Sequence, residues 1–326
     1  MPNMVSMKDH HSHSVRKRMV SNIYSNSTLL SSPALENTTQ TVLNERFIPV
    51  LRSAIAGSKN VDVYSLFGGT SMDIVTGYIF GLPSSTDFTT DETERRRFHD
   101  LYFSRRGPDF WLQFPGLVRL LRRIGVRLIP DRFVAATLEI EAFVMAMCDK
   151  AGAHISAIPT TEPLEGAPPP PPPPSHHPTV YAHLSAALTA QAALTDTPAA
   201  AAAAATRLAL ASECMDHVIA GYETSTVTLT YLCWHLSRQP AIRRALRREI
   251  RGGITTKNPF SSSPSPSPSP SPHALAALPL LHACVTETLR LHAGAPGPQW
   301  RVTPAVPGGV ALGPPGTKAC YAGVPA

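Results

Sequence analysis

Apolar residues recur at three- and four-residue intervals along most of this chain, which is the spacing of helices with one buried face. In the segment 35–56 they stand at Val42, Leu43, Phe47, Val50, Leu51 and Ile55. The same spacing predicts further helices over 15–30, 60–80, 98–114, 117–128 and 132–150. Gly81 and Pro83 give a stop signal after the segment 60–80. The expected fold class is therefore mainly α, with few strands.

The longest helical pattern begins at Thr197 and Pro198, where a hydroxyl residue and a proline make a typical helix start. Pro240 ends it, so the helix has some forty residues and spans about 60 Å. Its apolar surface is broad enough for a helix surrounded by others: Leu208, Met215, Val218, Ile219, Tyr222, Leu229, Leu232, Cys233 and Leu236. Two more helices are predicted after it, over 241–251 and 278–291.

Two low-complexity segments interrupt the helical pattern. Seven prolines fill 168–174, and serine alternates with proline over 263–272. Neither segment can continue a helix or pack a core. We expect one helical domain in three parts, an amino-terminal part (1–150), a proline-rich insertion (151–197) and a carboxyl-terminal part (198–326) with the Ser-Pro insertion at about 252–273.

Composition narrows the function classes. The net charge is +6 and the pI about 9.2, largely from arginine pairs. Such a charge can favour nucleic acid, an anionic membrane surface or an acidic protein. Because the pairs are scattered through amphipathic segments and not gathered in one tract with aromatics, no nucleic-acid binding is predicted.

Cysteine usage and hydropathy point to a chain without disulfides or a membrane anchor. The five cysteines are widely spaced and contain no Cys-x-x-Cys, which predicts reduced thiols and no cysteine-rich zinc site. No apolar run reaches the roughly 18 to 20 residues that a membrane span requires, and residues 1–13 are polar. We expect no amino-terminal anchor in this chain.

The long helix carries the block Ala220-Gly221-Tyr222-Glu223-Thr224-Ser225. Gly221 removes a side chain, and the Thr224 hydroxyl can bond to the Ala220 carbonyl and loosen the helix locally. The result would be a polar notch in an apolar wall, able to hold dioxygen and water beside a metal while Glu223 and Thr224 relay protons. The alternative is a buried helix with a glycine packing contact and a threonine bonded to its own backbone.

A second block contains Glu287 and Arg290, which lie three apart on a predicted helix and can form a bidentate ion pair. Alone, such a pair is equally a solvated pair on the surface. It is flanked by Leu278, Pro279, Leu281, Ala283, Leu291, Pro296, Arg301 and Pro304. Together the two blocks, in this order, resemble the oxygen-binding helix and the Glu-x-x-Arg helix of cytochrome P-450 monooxygenases.

The resemblance extends towards the amino terminus. The segment 61–82, with Ser71-Met72-Asp73 and Phe80-Gly81-Leu82, looks like a helix of fungal members. The segment His13-x-x-Arg16-Lys17-Arg18 is similar to the family segment whose basic residues contact the haem propionates. The resemblance implies His13, Lys17 and Arg301 as propionate partners. For His13 two alternatives stay open, a solvated histidine and adventitious metal binding by the run at 10–13.

A partial cytochrome P-450 fold implies a haem b cofactor and a haem-thiolate monooxygenase that inserts one oxygen atom into a small apolar substrate. By the same resemblance, Glu223 and Thr224 are catalytic, Ala220 and Gly221 form the oxygen groove, and Glu287 with Arg290 is a structural ion pair. An NADPH-dependent cytochrome reductase is the implied electron donor. Complete members belong to the cytosolic face of the endoplasmic reticulum membrane, whereas a chain without an anchor would be cytoplasmic. The sequence does not identify the substrate.

Departures from the family pattern lead to a further expectation. The first strands and helices of the family are missing before residue 13, and the sequence stops at Ala326, before the loop that carries the cysteine thiolate. Cys320 lacks the surrounding glycines and arginine, so no residue is predicted to ligate the iron. The arginine that would join Glu287 and Arg290 in a buried triad is also missing. We expect an inactive fragment; the alternative is a non-catalytic helical remnant or interaction protein from a decayed or misread gene.

Overall fold

The computed structural model describes residues 3–7, 9–105, 114–157, 176–194, 197–255 and 271–295, together with the backbone of 310–311 and 320–321. Helices make up most of this part of the chain, as the apolar spacing predicts. In chain order they are α1 (His10–Ser21), α2 (Asn26–Leu30), α3 (Pro33–Thr41), α4 (Ile48–Ala56), α5 (Val63–Phe80), α6 (Glu92–Ser104), α7 (Pro115–Arg123), α8 (Asp131–Ala157), α9 (Thr179–Ala192), α10 (Ala199–Arg238), α11 (Pro240–Thr255), α12 (Pro272–Ala276) and α13 (Pro279–Leu291).

Two shorter helical pieces and one strand pair complete the described elements. A π-helical stretch, Val42–Phe47, joins α3 to α4, so the helix predicted over 35–56 is continuous but changes its winding. A single 3₁₀ turn, Leu82–Ser84, follows α5. Strand β1 (Val310–Ala311) pairs antiparallel with β2 (Cys320–Tyr321). The fold is thus mainly α with few strands.

Local sequence signals set several helix boundaries. Asp9, Asp62 and Asp91 each accept a hydrogen bond from a backbone N–H in the first turn of α1, α5 and α6, which satisfies donors that have no partner inside the helix. Helix α5 ends at Phe80, and the residue that caps it, Gly81, has a φ of 80°. A Cβ there would lie 2.2 Å from the carbonyl oxygen of His176, so both the conformation and the close approach require glycine.

The core is built around α5, against which α10 packs, with α8 and α9 beside them. Its fully buried side chains include Met72, Ile79, Phe80, Ile140, Val144, Val180, Leu184 and Val218. Aromatic rings extend this core to α6, because Phe98 meets Tyr222 of α10 edge to face with 5.3 Å between ring centroids. Between Leu210 and Thr226 the central helix is therefore covered by other helices, as predicted, whereas Leu208 and Leu229 of its predicted apolar surface are 48% and 36% exposed.

A buried carboxylate ties the segment after α5 back to that helix. Asp73 has no exposed surface and accepts hydrogen bonds from the Thr86 hydroxyl (2.7 Å) and the backbone N–H groups of Phe88 (2.7 Å) and Thr89 (3.0 Å). Arg46 of the π-helical stretch lies 3.3 Å from its second oxygen. Burial raises the pKa of Asp73, and the hydrogen bonds from Thr89 and Thr86 oppose that rise.

The segment 151–197, expected to be a proline-rich insertion, is helical over much of its length. Helix α8 continues to Ala157, and α9 occupies Thr179–Ala192 with Val180, Leu184 and Leu188 buried. The four-residue spacing of those three residues is a helix signal that the neighbouring proline run obscured. The proline run itself lies outside the described residues.

Boundaries near the other insertion also differ from expectation. Helix α11 continues to Thr255 and α12 begins at Pro272, so both enter the segment expected to be an insertion at 252–273. The central helix begins at Ala199 with Pro198 as its cap residue, so Thr197 does not cap it. Within the described ranges, no helix is both long enough and apolar enough to cross a bilayer.

Candidate functional site

A cavity of about 530 Å³ lies between α1, α5 and α10, at the Ala220-Gly221 step of the central helix. Its lining residues are Met4, Lys17, Val20, Ser21, Tyr24, Leu35, Ile74, Val75, Tyr78, Ile79, His217, Ala220 and Gly221. Most of these side chains are apolar, and Lys17 contributes an ammonium group. The structure thus brings the predicted oxygen-groove residues and one predicted propionate partner to the same cavity.

Gly221 also makes the close helix contact that the simpler alternative describes. A Cβ on Gly221 would lie 2.6 Å from Cγ2 of Val75 and 3.1 Å from its Cγ1. Valine is branched at Cβ and has few rotamers to move into, so α5 and α10 can approach this closely only with glycine at 221. The glycine packing contact is therefore present, and Gly221 lines the cavity beside it.

The hydrogen bond predicted for Thr224 is present, since its Oγ1 donates to the Ala220 carbonyl at 2.7 Å. Thr226, Thr228 and Thr230 make the same bond to the carbonyl one turn earlier. The helix stays continuous through this run. The bond is therefore a property of every threonine in this stretch. Thr224, which is exposed, differs from the others in two ways. It lies next to the cavity wall, and Gly294 packs so close to it that a Cβ on that glycine would lie 3.0 Å from the Thr224 Cα.

Glu223 has different neighbours from Thr224. The Tyr102 hydroxyl of α6 donates to Glu223 Oε2 at 2.5 Å. The Tyr102 ring in turn meets Tyr222 edge to face, and the Tyr222 hydroxyl lies 3.2 Å from Nδ1 of His99. Burial raises the pKa of Tyr222. Sequence reasoning did not find this cluster of aromatic rings and hydroxyl groups because Tyr102 and Glu223 are 121 residues apart in the sequence.

The three predicted propionate partners have different outcomes. Lys17 is exposed and lines the cavity, and His13 lies one turn earlier on α1, half-buried. Arg301 lies outside the described residues. Arg16, which sequence reasoning left without a role, forms an ion pair at 3.1 Å with Glu213 of α10, a carboxylate that is 2% exposed. Burial raises the pKa of Glu213, while the Met4 N–H and Arg16 oppose that rise.

His217 is a cavity residue that sequence reasoning missed. It lies one turn before Gly221 on α10, and its ring centroid is 5.1 Å from that of Tyr24. Its Nε2 is buried and has no hydrogen-bond partner within the described part of the chain. Burial lowers the pKa of His217 to about 4, so the imidazole is neutral at neutral pH. The signal for this residue was its spacing of four from Gly221, which places both on one face of the helix.

Glu287 and Arg290 form the predicted bidentate pair, with Arg290 Nε and Nη2 each 2.7 Å from a carboxylate oxygen. Their side chains are 55% and 65% exposed. Of the two alternatives for this pair, the structure therefore has the solvated one, without the buried triad that complete family members are expected to have. The hydrogen bond from Arg290 lowers the pKa of Glu287, as it would for any surface pair.

None of the residues that line the 530 Å³ cavity is a cysteine. Cys148 of α8 and Cys214 of α10 are buried together in the core, where the contact with Cys148 and burial raise the pKa of the Cys214 thiol. Cys233 is exposed on α10, and Cys284 is half-exposed on α13. Cys320 stands in β2, and its side chain lies outside the described residues. The four described thiols are all free.

Comparison with known proteins identifies the class. The sequence profile of the cytochrome P450 family matches residues 2–305. The chain therefore belongs to the cytochrome P450 family and is a fungal-type member with a mainly α, partial form of the fold.

Individual relatives agree with this assignment. The chain is 24% identical over 304 residues to the cytochrome P450 monooxygenase avaI of Aspergillus versicolor. The matched region covers 93% of this chain and 60% of that protein. It is 34% identical over 93 residues to the cytochrome P450 monooxygenase apf7 of Gibberella fujikuroi, covering 28% of this chain and 16% of that one. Against the mitochondrial sterol 26-hydroxylase of Rattus norvegicus the identity is 37% over 79 residues, with 24% and 13% covered. The chain thus spans at most about three fifths of the length of these relatives.

The family implies a haem cofactor, and the cavity can be compared with that group. A mostly apolar space of about 530 Å³ suits the body of a macrocycle, and the ammonium group of Lys17 suits an anionic edge. The buried, unpartnered Nε2 of His217 shows that the wall also offers a polar atom. The described residues therefore fit the body and acidic edge of haem but contribute no cysteine as its iron ligand.

Proposed function

We propose that the protein to which this chain belongs is a haem-thiolate monooxygenase that inserts one atom of dioxygen into a small apolar organic substrate. The observation that carries this proposal is the apolar cavity at the Ala220-Gly221 step, with Lys17 on the facing helix. Haem b, when bound, supplies the iron at which dioxygen is reduced. Electrons would come from an NADPH-dependent reductase, and the complete protein would work at the cytosolic face of the endoplasmic reticulum membrane.

The residues of this chain would bind the cofactor and handle protons. Lys17, with His13 and Arg301, would neutralise the two propionates. Ala220 and Gly221 would leave room for dioxygen, because neither has a side chain larger than a methyl group. Thr224 donates its hydroxyl proton to the Ala220 carbonyl, and Glu223 accepts a hydrogen bond from the Tyr102 hydroxyl. Each of the two residues would therefore have an exchangeable proton at hand to relay.

For the chain of 326 residues itself we propose no monooxygenase turnover. Thiolate donation is what favours cleavage of the dioxygen bond in this class of enzyme. The residues that line the cavity include no cysteine, so a haem held there would have no thiolate ligand from them.

Haemin titration followed by absorbance tests the cavity as the cofactor site. Ala220→Trp fills the cavity and should abolish saturable binding, whereas Ala204→Trp places the same side chain on an exposed position of the same helix and should leave it intact. Lys17→Glu should weaken binding, with Lys59→Glu as the exposed control. Circular dichroism would establish that each variant folds. Equal binding by both tryptophan variants would contradict the assignment.

A carbon monoxide difference spectrum of the reduced, haem-loaded chain tests the absence of a thiolate ligand. We expect no band at the strongly red-shifted position typical of thiolate-ligated haem. Such a band would show that a cysteine ligates the iron, most simply Cys320, and would overturn the proposal of an inactive chain. Its loss in Cys320→Ser, with the band kept in Cys233→Ser, would identify that ligand.

A non-catalytic helical remnant or interaction protein is the second candidate. The observation that favours it is the number of large apolar side chains left on the surface of α10 and α13: Leu229, Tyr231, Trp234, Leu289 and Leu291, each between 36% and 50% exposed. A chain that folds but binds no haemin would support this candidate. Genomic sequence after residue 326 would separate the two, since an intact cysteine loop in frame would favour the oxygenase.

A further inference from the structure

Two histidines from different helices meet at the end of the central helix. Nε2 of His235, in the last turn of α10, lies 2.8 Å from Nε2 of His292, the residue that caps α13. The two positions are 57 residues apart in sequence. Both side chains are half-buried, so solvent and small ions can reach them. Neither residue has a role in the proposed oxygenase site.

Neighbouring aromatic rings hold both imidazoles in place. The Tyr231 ring stacks on His292 with 3.7 Å between centroids and 2° between planes. Trp234 meets His235 edge to face at 4.8 Å. The His292 backbone N–H also donates to the Thr288 carbonyl at 2.8 Å, which fixes the cap of α13. The two ring centroids are 5.0 Å apart, so the nitrogens point at each other as in a hydrogen bond, and both rings must turn to direct their lone pairs at one ion. A turn of His292 in its own plane keeps its stacking on Tyr231.

The distance between the two nitrogens, which are hydrogen-bonded in this structure, is also close to that of a metal chelate with a right-angle bite. Metal–imidazole bonds are about 2.0 to 2.1 Å long, so two nitrogens at 90° lie about 2.9 Å apart, whereas a tetrahedral angle requires about 3.3 Å. Right-angle ligand positions are those of Cu²⁺ and Ni²⁺ in square-planar or tetragonal sites. Imidazole nitrogen is also a preferred ligand of both ions.

The surroundings leave room for an ion and its water ligands. A cavity of about 370 Å³ opens beside the pair, with His235, Cys284 and Glu287 in its lining. Glu287 is close enough for His235 to contribute to lowering the pKa of that carboxyl, although Arg290 has the larger effect. Arg238 lies over Trp234 at 5.4 Å. Because two guanidinium groups stand against one carboxylate, the local field does not attract a cation, and the imidazoles would supply the binding energy.

We propose that His235 and His292 form a two-histidine site for a divalent transition metal ion of the Cu²⁺ or Ni²⁺ type, which links the end of α10 to α13. The ion displaces the hydrogen between the two Nε2 atoms and lies to one side of the line that joins them, and each neutral imidazole then carries its proton on Nδ1. Protons compete for the same nitrogens, so the affinity falls at acid pH. Remaining positions on the ion are filled by water.

The test uses the full chain with His10→Asn, His11→Asn and His13→Asn, because the amino-terminal histidine run could bind the same ions. Isothermal titration with Cu²⁺ and with Ni²⁺ is expected to give one bound ion per chain. Electron paramagnetic resonance of the Cu²⁺ form should show two nitrogen ligands. A rise in melting temperature on addition of Ni²⁺ should accompany binding, since the ion binds the folded chain.

Single substitutions assign the site. His235→Asn and His292→Asn should each weaken binding by roughly tenfold or more, and the pair together should abolish it. His282→Asn, at an exposed position of α13, is the matched control and should bind as the parent does. Binding that survives in the double variant would overturn the proposal, as would the absence of binding in the parent. Zn²⁺ binding more tightly than Ni²⁺ would overturn the right-angle geometry. None of these measurements requires haem, so they stand apart from the test of the proposed function.

Discussion

The central helix α10 has two halves that share one backbone and differ in everything around it. Over 199–226 its buried residues are Leu210, Ala211, Glu213, Cys214, Val218, Tyr222 and Thr226. Over 227–238 the described structure buries none, and Tyr231 and Trp234 are 40% and 50% exposed. The first half is covered by α5, α8 and α9, and the second contacts α11 and α13. Helical periodicity is thus the same in a packed and an open environment, and it does not reveal which one applies.

The carboxylates beside the two halves of α10 also differ in burial. Next to the packed half, Asp73 is fully buried and accepts three hydrogen bonds, and Glu213 is paired with Arg16. Next to the open half, Glu287 and Arg290 pair in solvent. A buried carboxylate without its partners costs far more than a solvated one, because water cannot replace them. Substitutions should therefore separate the two regions sharply.

The largest effect is expected for Asp73→Ala, which leaves the Phe88 and Thr89 N–H groups and the Thr86 hydroxyl without their acceptor. The free energy of unfolding should fall by about 3 to 5 kcal/mol, measured by urea denaturation. Asp149→Ala, which removes a carboxylate that is 53% exposed and paired with Arg207, is the control and should give no resolvable change. Similar losses in the two variants would break the contrast.

His217→Leu should alter how stability depends on pH. The imidazole has a pKa of 6.5 when unfolded and about 4 when folded, so the unfolded chain binds more protons between these values. The wild-type stability should therefore rise from pH 4 to 6.5, by about 3 kcal/mol from this group alone. That rise is absent from the leucine variant.

Urea denaturation at a series of pH values gives the two curves. They should run parallel above pH 6.5 and below pH 4, which serves as the internal control. An unchanged slope in the variant between those limits would mean that His217 titrates in the folded chain as it does in the unfolded one, and that the cavity wall is wetter than the structure indicates.

A matched pair of glycine substitutions should change stability in opposite directions. In the packed region a Cβ at Gly69 would lie 2.5 Å from the Phe88 carbonyl oxygen, so Gly69→Ala should destabilise by about 1 to 3 kcal/mol. In α11, a Cβ at Gly252 meets nothing within 4 Å. Gly252→Ala should therefore stabilise by about 0.5 to 1 kcal/mol through helix propensity. Thermal unfolding of the two variants in parallel would settle the signs.

The smallest effect is expected for Glu287→Gln. Because the carboxylate is solvated and its ion-pair partner within the described residues is another exposed side chain of its own helix, its loss should leave the unfolding free energy of the chain without a resolvable change. A loss comparable to that of Asp73→Ala would mean that this glutamate is buried in solution, as the family resemblance suggests for a complete network.

How much of this could be predicted depended on the range of the interaction. The central helix was expected over about 197–238 and is observed as Ala199–Arg238. The Thr224 bond to Ala220 was also predictable, because donor and acceptor lie four residues apart in one helix. By contrast, α9 was missed because the neighbouring proline run obscured the four-residue spacing of Val180, Leu184 and Leu188.

For the candidate site too, local interactions were predictable and long-range ones were not. The sequence identified Gly221 as a position of close approach, but it could not show that Val75 is the residue that approaches it. The role of Arg16 was missed because its partner, Glu213, is almost two hundred residues away. The exposed state of Glu287 and Arg290 was equally unpredictable, since a spacing of three gives the ion pair whether or not anything covers it.

The amino-acid sequence by itself determined the helical class, the length of α10, the family and the local hydrogen bonds of the Ala220-to-Thr224 block. These depend on periodicity, caps and motifs that act within a few residues. Only the tertiary structure decided which half of α10 is buried, that His217 enters the cavity and that His235 meets His292. Those outcomes depend on how helices distant in sequence pack together, and packing responds to the shape and volume of all the side chains at once.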